Sequence, residues 1–199
     1  MLRRGFTTAA AAFFLMPPKV TAEDAAPATV DVALRTTLGD IVLVLESGRA
    51  PATTKNFLKY VDQKRLDGAS FYRAMKVKDD TGIIQGGDNS RALPGCRHEA
   101  TSQTGLSHTD GVISLARGRP GTAQGDFFIC LGDMTAFDAG QDGTADGLGF
   151  AAFGHVAEGM EVVRAIFAAP VSKTRGIGVM KGQMLSPPVK IVSARRARA

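Results

Sequence analysis

A mainly β domain carrying two helices is the fold class this sequence predicts, and three observations predict it. From Ala69 to Val156, short β-branched or aromatic runs alternate with Gly-rich turns, the pattern of an antiparallel sheet or barrel. Only two stretches place apolar residues at helical spacing, one after Pro51 and one after Glu158. The 199 residues are 44% hydrophobic and 22% charged, which suits one globular domain with a core.

The first 22 residues stand apart from that domain. Arg3 and Arg4 open the chain, Phe6 to Met16 is an apolar Ala-rich run, and Val20-Thr21-Ala22 fits a small-residue cleavage site. This is the pattern of a secretory signal peptide, with Glu23 as the first mature residue. The run is too short to span a bilayer stably, so no stable membrane insertion is expected after cleavage. Arg3-Arg4 also suits a twin-arginine signal, an ordinary export signal is the plainer alternative, and an acid-free start fits an organellar transit peptide too. The predicted destination is outside the cytoplasm, in a bacterial periplasm.

The Ala/Pro-rich residues 23–29 read as a linker, and the domain as residues 30–195. Val30, Val32 and Leu34 alternate with polar or small residues, as in a half-buried strand. Leu38-Gly39-Asp40 is a turn, and Ile41 to Leu45 is apolar on both faces, as expected of a strand with a core on one side and a helix on the other. Pro51 suits a first helical turn, Thr54, Phe57, Leu58 and Val61 form the buried stripe, Lys64 and Arg65 suit the C-terminal end, and Gly68 can stop it. Val112 to Ala116 and Phe127 to Leu131 are two strands joined by a Gly/Pro-rich reversal through Gly118-Arg119-Pro120-Gly121 and Gln124-Gly125. The second helix buries Met160, Val163, Ile166 and Phe167, and Pro170 limits it. Val189 to Val192 is the last strand, and residues 196–199 continue Arg195 as a solvated basic tail.

Charge and motif content narrow the function. Cleavage removes three cations and no acid from a formal +5, leaving about +2, so the basic pI of 9.5 gives no support to a nucleic-acid partner. His98, His108 and His155 are widely separated and have no metal-site spacing. Asp138, Asp142 and Asp146 do not match a calcium loop. Gly176-Ile177-Gly178 lacks dinucleotide spacing, and neither a phosphate loop nor a nucleophile elbow occurs. No metal is expected. Cys96 and Cys130 read as two free thiols.

Several blocks then act together: Phe71-Tyr72-Arg73, Gln85-Gly86-Gly87, Gly111 with Ser114 and Ala116, Phe127-Phe128-Ile129, Phe153-Gly154 and Glu158-Gly159-Met160. In this order, from about Val32 to Ala194, they resemble the cyclophilins, a family of peptidyl-prolyl cis-trans isomerases. The resemblance implies a closed eight-stranded antiparallel barrel capped by two α-helices, with a helix at each end. It also implies proline-containing polypeptides as partners, no cofactor and a monomer.

It assigns the catalytic donor to Arg73, its orienting partner to Gln85 and the floor of the proline pocket to Phe128. Ile83, Phe137 and Phe150 fall on pocket walls, and the Ala116-Arg117-Gly118 backbone would bind the residues before proline. This chain departs from the family in places. The Arg73–Gln85 interval is four residues longer, Gly82-Ile83 replaces a Phe-Met pair, and Ala136 stands where bulky residues are common. Asp126 stands where the family has Gln. It could pair with Arg73, locking or diverting the guanidinium, or point to water. An isomerase for exported or unfolded chains is the first expectation. The alternative is a catalytically weak proline-peptide-binding or chaperone module on the same fold.

Overall fold

The computed structural model describes residues 28–197. The expected export signal, and all of the expected linker but its last two residues, lie outside them. Within them the elements run β1 (Val30–Thr36), β2 (Gly39–Leu45), α1 (Pro51–Asp62), β3 (Ser70–Lys76), β4 (Gly82–Gly87), α2 (Thr101–Thr104), β5 (Val112–Leu115), β6 (Phe127–Leu131), β7 (Ala151–Glu158), α3 (Met160–Ala168), β8 (Val171–Ser172) and β9 (Met184–Arg196).

Eight strands close into an antiparallel barrel in the order β1-β2-β7-β5-β6-β4-β3-β9, with β9 returning to β1. The two-residue β8 only adds to the side of β9. Closure leaves no long edge to aggregate. Alternation fills the interior: Val32 and Leu34 from β1, and Ile41, Leu43 and Leu45 from β2, are sealed from solvent, while Val42 and Val44 between them are half-covered. Phe57 of α1 meets Phe127 at 5.4 Å, edge to face, and Phe153 at 5.3 Å, and Phe71 meets Phe127 at 5.6 Å. Such pairs add about 0.5–1.5 kcal/mol each beyond their buried area. Val163, Ile166 and Phe167 of α3 join the same core, and the helix packs against β2, β3 and β4.

No side chain of its own caps the start of α1. Glu99 does so from a distant loop, accepting from Ala52 N at 3.1 Å, Thr53 N at 2.8 Å and the Thr53 hydroxyl at 2.7 Å. A carboxylate there satisfies orphan amides and sits at the favourable end of the helix dipole.

Three expectations change. Helix α1 ends at Asp62 rather than running through Lys64 and Arg65, because Lys64 adopts φ +54° and turns the chain before Gly68. The last strand is not Val189–Val192 but thirteen residues long, held by β1 on one side and β3 on the other. Pro187 and Pro188 hide that continuity from a sequence reading, since proline cannot donate to a ladder. Arg195 and Arg196 belong to this strand rather than to a solvated tail. Arg195 donates to Asp67 at 2.8 and 2.7 Å, and Arg196 donates to Asp62 at 2.8 and 2.7 Å. Among the described residues, no helix is long and apolar enough to cross a membrane.

Candidate active site

A row of directly opposed residues crosses four strands on the outer face of the barrel. Arg73 on β3 faces Gln85 on β4, Gln85 faces Phe128 on β6, and Phe128 faces Ser114 on β5. Opposed residues in a sheet share a face, so the ladder itself gathers these side chains. Phe127, one residue earlier, points inward. The four extra residues between Arg73 and Gln85 leave this register intact. They form the tip of the β3–β4 hairpin, where Val77 N donates to Thr81 O at 2.9 Å.

A β-bulge brings Arg73 into the row. Phe71 faces Gly86 and Arg73 faces Gln85, so Tyr72 is an extra residue between them. Strict alternation would send Arg73 to the inner face with Phe71. The bulge turns it outward beside Tyr72 instead.

Hydrogen bonds then fix the guanidinium. Arg73 Nε donates to Gln183 Oε1 at 2.8 Å, and Arg73 Nη1 donates to Gln85 Oε1 at 2.8 Å. Gln85 Nε2 donates to the Tyr72 hydroxyl at 2.8 Å, which donates to Asp126 Oδ2 at 2.9 Å. The polarity of the relay is set by its end. A carboxylate can only accept, so the Tyr72 proton points at Asp126 and its oxygen is left to receive Gln85 Nε2. The Gln85 carbonyl is thereby aimed at Arg73. Burial, and then the Asp126 charge, push the Tyr72 hydroxyl far above its usual range, which keeps that proton in place. Asp126 thus reaches Arg73 through Tyr72 and Gln85, an arrangement that a choice between a direct ion pair and open water does not anticipate. Residue 87 must be glycine for this. At φ +135°, a Cβ there would lie 2.4 Å from Asp126 Oδ1.

Burial draws the Arg73 pKa down from its ordinary value, but a guanidinium starts so high that it stays charged. Its partners are neutral amides, and Nη2 makes no hydrogen bond to any described residue. The side chain borders a cavity of about 310 Å³ lined also by Ile83, Phe128, Phe137 and Phe150. The Phe128 ring meets Phe137 at 5.6 Å and Phe150 at 5.2 Å, both edge to face. An adjoining polar depression of about 280 Å³ is lined by Gln85, Ala116, Arg117, Gly118 and Asp126, together with Thr122 and Gln124. All ten residues singled out in the sequence border one or other of these two spaces.

Some of the site escapes a sequence reading. Gln183 lies 110 positions from Arg73 and carries no local signal. Met75 and Met180 return sulfur to the walls of the cavity. His108 is fully buried behind the floor. Its ring stacks on Phe128 at 5.9 Å, with Nδ1 2.6 Å from Asp138 and Nε2 3.0 Å from the Ser114 hydroxyl. Burial lowers the His108 pKa despite the adjacent carboxylate, so the ring backs Phe128 as a neutral spacer. Arg117 commits its guanidinium to the protein itself. It pairs with both oxygens of Asp146 at 2.7 and 2.9 Å and lies 5.6 Å from the Phe150 ring centre, so it braces the wall. No group of three metal-ligating side chains is found among the described residues. Cys96 and Cys130 are free, and burial raises the pKa of both thiols.

Residues 29–196 match the family model described as cyclophilin type peptidyl-prolyl cis-trans isomerase/CLD. A peptidyl-prolyl cis-trans isomerase of Acinetobacter baylyi is 33% identical over 172 residues, 82% of this chain and 84% of the relative. One from Streptomyces antibioticus is 36% identical over 152 residues, 73% of this chain and 87% of the relative. The crystal structure of a cyclophilin type isomerase from Cryptosporidium parvum superimposes with a TM-score of 0.68 at 19% identity, covering 86% of this chain and 99% of that one. The same Cryptosporidium protein crystallised in the presence of the dipeptide Ala-Pro gives a TM-score of 0.66.

Proposed function

The chain belongs to the cyclophilin-type peptidyl-prolyl cis-trans isomerase family, and from that premise we propose that Arg73, seated over the Phe128 cavity, is the group that lowers the barrier to X–Pro rotation. The planar amide resists rotation by about 18–20 kcal/mol because the nitrogen lone pair is delocalised into the carbonyl. As the bond twists, that lone pair localises on a pyramidal nitrogen and becomes an acceptor. A charged donor held beside it binds the twisted state more tightly than either planar one, which is what lowers a barrier. The proline ring rests on Phe128 between Ile83, Phe137 and Phe150. The backbone of Ala116 to Gly118 holds the residues before it, and Gln85 and Asp126 keep the donor aimed.

The single observation that carries this reading is the state of Arg73. Gln85 and Gln183 fix two of its three nitrogens, no described carboxylate neutralises it, and the third is left for a ligand. The test is cis-trans exchange of an Ala-Pro peptide followed by NMR, with the chain from Glu23 onward and with Arg73→Ala. Acceleration by the parent that the variant loses supports the reading, and equal acceleration by both overturns it.

The substrates we propose are extended proline-containing segments of exported or unfolded proteins, met by a monomeric enzyme after cleavage at Ala22. The support is the N-terminal pattern of Arg3, Arg4 and the apolar run that follows. Fractionation with N-terminal sequencing checks it: a cytoplasmic protein that keeps Met1 would refute export.

A further inference from the structure

The loop between β8 and β9 presents an apolar surface that the fold itself does not use. Ile177 is 92% exposed, Val179 83% and Met180 37%. The other exposed large apolar side chains of the described residues, such as Leu38, Leu148 and Val192, are scattered singly. These three fall within four positions of each other, and Val179 and Met180 line the Phe128 cavity. Clustered apolar side chains bordering a ligand cavity mark an interaction surface, whereas single ones need no explanation.

The loop is also built to hold that shape. Gly182 N donates to Arg175 O at 3.0 Å and closes its base, and a 3-10 turn over Gly178–Met180 sets its tip. Gly176, at φ +98°, lets the returning chain pass. A Cβ there would lie 2.3 Å from Met180 O. Gln183 ends the loop and carries the hydrogen bond to Arg73 Nε. The lip and the residue that holds the donor, Gln183, therefore sit on one connection closed by its own hydrogen bonds, and a preorganised surface loses little entropy when a ligand orders on it.

Polarity separates the two sides of the cleft. The depression meant for residues before proline is lined by Gln85, Thr122, Gln124 and Asp126, and a bulky apolar group there would strip water from them without replacing it. Val179 lines only the proline cavity, and Met180 stands at the junction of the two spaces. Resting on the isomerase reading above, we propose that Ile177, Val179 and Met180 form a specificity lip that selects segments with a bulky apolar residue immediately after the proline. That side chain leaves the cavity over Val179 and packs on the lip.

The experiment uses matched peptides with Leu or Ser after the proline, each titrated and followed by NMR exchange with the chain from Glu23 onward and with the double variant Ile177→Ser, Val179→Ser. Both substitutions are on an exposed loop and leave the barrel core untouched. The expected result is a Pro-Leu over Pro-Ser preference of about fivefold to tenfold, carried in KM rather than kcat and falling to near unity in the double variant. No preference in the parent, or the same preference in the variant, overturns the lip. If neither peptide exchanges faster, the isomerase reading fails. The lip is then decided by the affinity ratio from the same titrations, and equal affinities overturn it.

Discussion

The two faces of β6 meet different surroundings. Inward, Phe127 is sealed among Phe57, Phe71 and the aliphatic residues of the barrel, with no polar partner and no path to water. Outward, Phe128 is almost as buried, but by a thinner layer: His108 behind it, Phe137 and Phe150 at its edges and an open cavity in front. One face is closed by its own side chains and supplies stability. The other borders an open cavity, and its charged and amide groups are arranged around that space. Both rings bury apolar area, so burial alone does not separate a core residue from a pocket floor. What the rest of the shell is made of does.

The largest expected effect separates the two rings directly. Phe127→Ala should cost about 3–5 kcal/mol of stability, because the barrel cannot collapse around the void. Phe128→Ala should cost less, since the space it leaves joins a cavity already open to water, but it should abolish productive peptide binding. Urea unfolding and peptide exchange on both variants measure the contrast, and equal losses of stability would erase it.

Next comes the outer face alone. Arg73→Ala should lower kcat/KM by about 10²–10³, the usual cost of one preorganised donor, while the urea midpoint barely moves. Gln183→Leu should lower kcat by about tenfold with KM nearly constant, because it frees the guanidinium without touching the pocket walls. Asp126→Ala should lower kcat several-fold by releasing the Tyr72 proton and with it the Gln85 amide. Asp126→Asn should restore part of that, since an amide oxygen can still accept from Tyr72. If Ala and Asn behave alike, the relay has no directing role.

The smallest effect is in the response to acid. Hydrogen bonds from Arg196 and Arg195 hold the carboxyls of Asp62 and Asp67 below the usual range. Their contribution is present above the unfolded carboxyl pKa and is lost as pH falls through the lower folded values, below about 4. His108, lowered by burial, acts in the same direction at higher pH. The unfolded chain takes up its proton first, so stability falls as pH drops below about 6.5. Urea midpoints from pH 8 to pH 3 should show both steps. Replacing Arg195 and Arg196 by Ala should flatten only the lower one, and these exposed pairs should count for little at neutral pH.

Much of the barrel is legible in the sequence because its signals are local. Alternation in Val30, Val32 and Leu34 and the unbroken apolar run Ile41 to Leu45 mark strands, the stripe Phe57, Leu58 and Val61 marks a helix, and Gly-rich turns separate them. The long β9 is illegible because Pro187 and Pro188 interrupt the pattern, and its pairing is supplied by β1 and β3 from elsewhere in the chain. In the site, Arg73, Gln85 and Phe128 stand out through the order of their motifs. Gln183, His108 and the exposed loop at Ile177 to Met180 do not, since each acquires meaning only from a neighbour far away in sequence.

By itself, then, the sequence determined which residues prefer the inside and which chemical groups the site motifs bring: a guanidinium, an amide side chain, a carboxylate and an aromatic floor. The tertiary structure alone decided how they face. Strict alternation places Arg73 on the inner side with Phe71, and the bulge at Tyr72 moves it to the outer side, in line with Gln85 and Phe128. A period of two is a local property that any reader of the chain can count. A bulge is a registry mismatch between two strands, and it does not exist until both strands are paired.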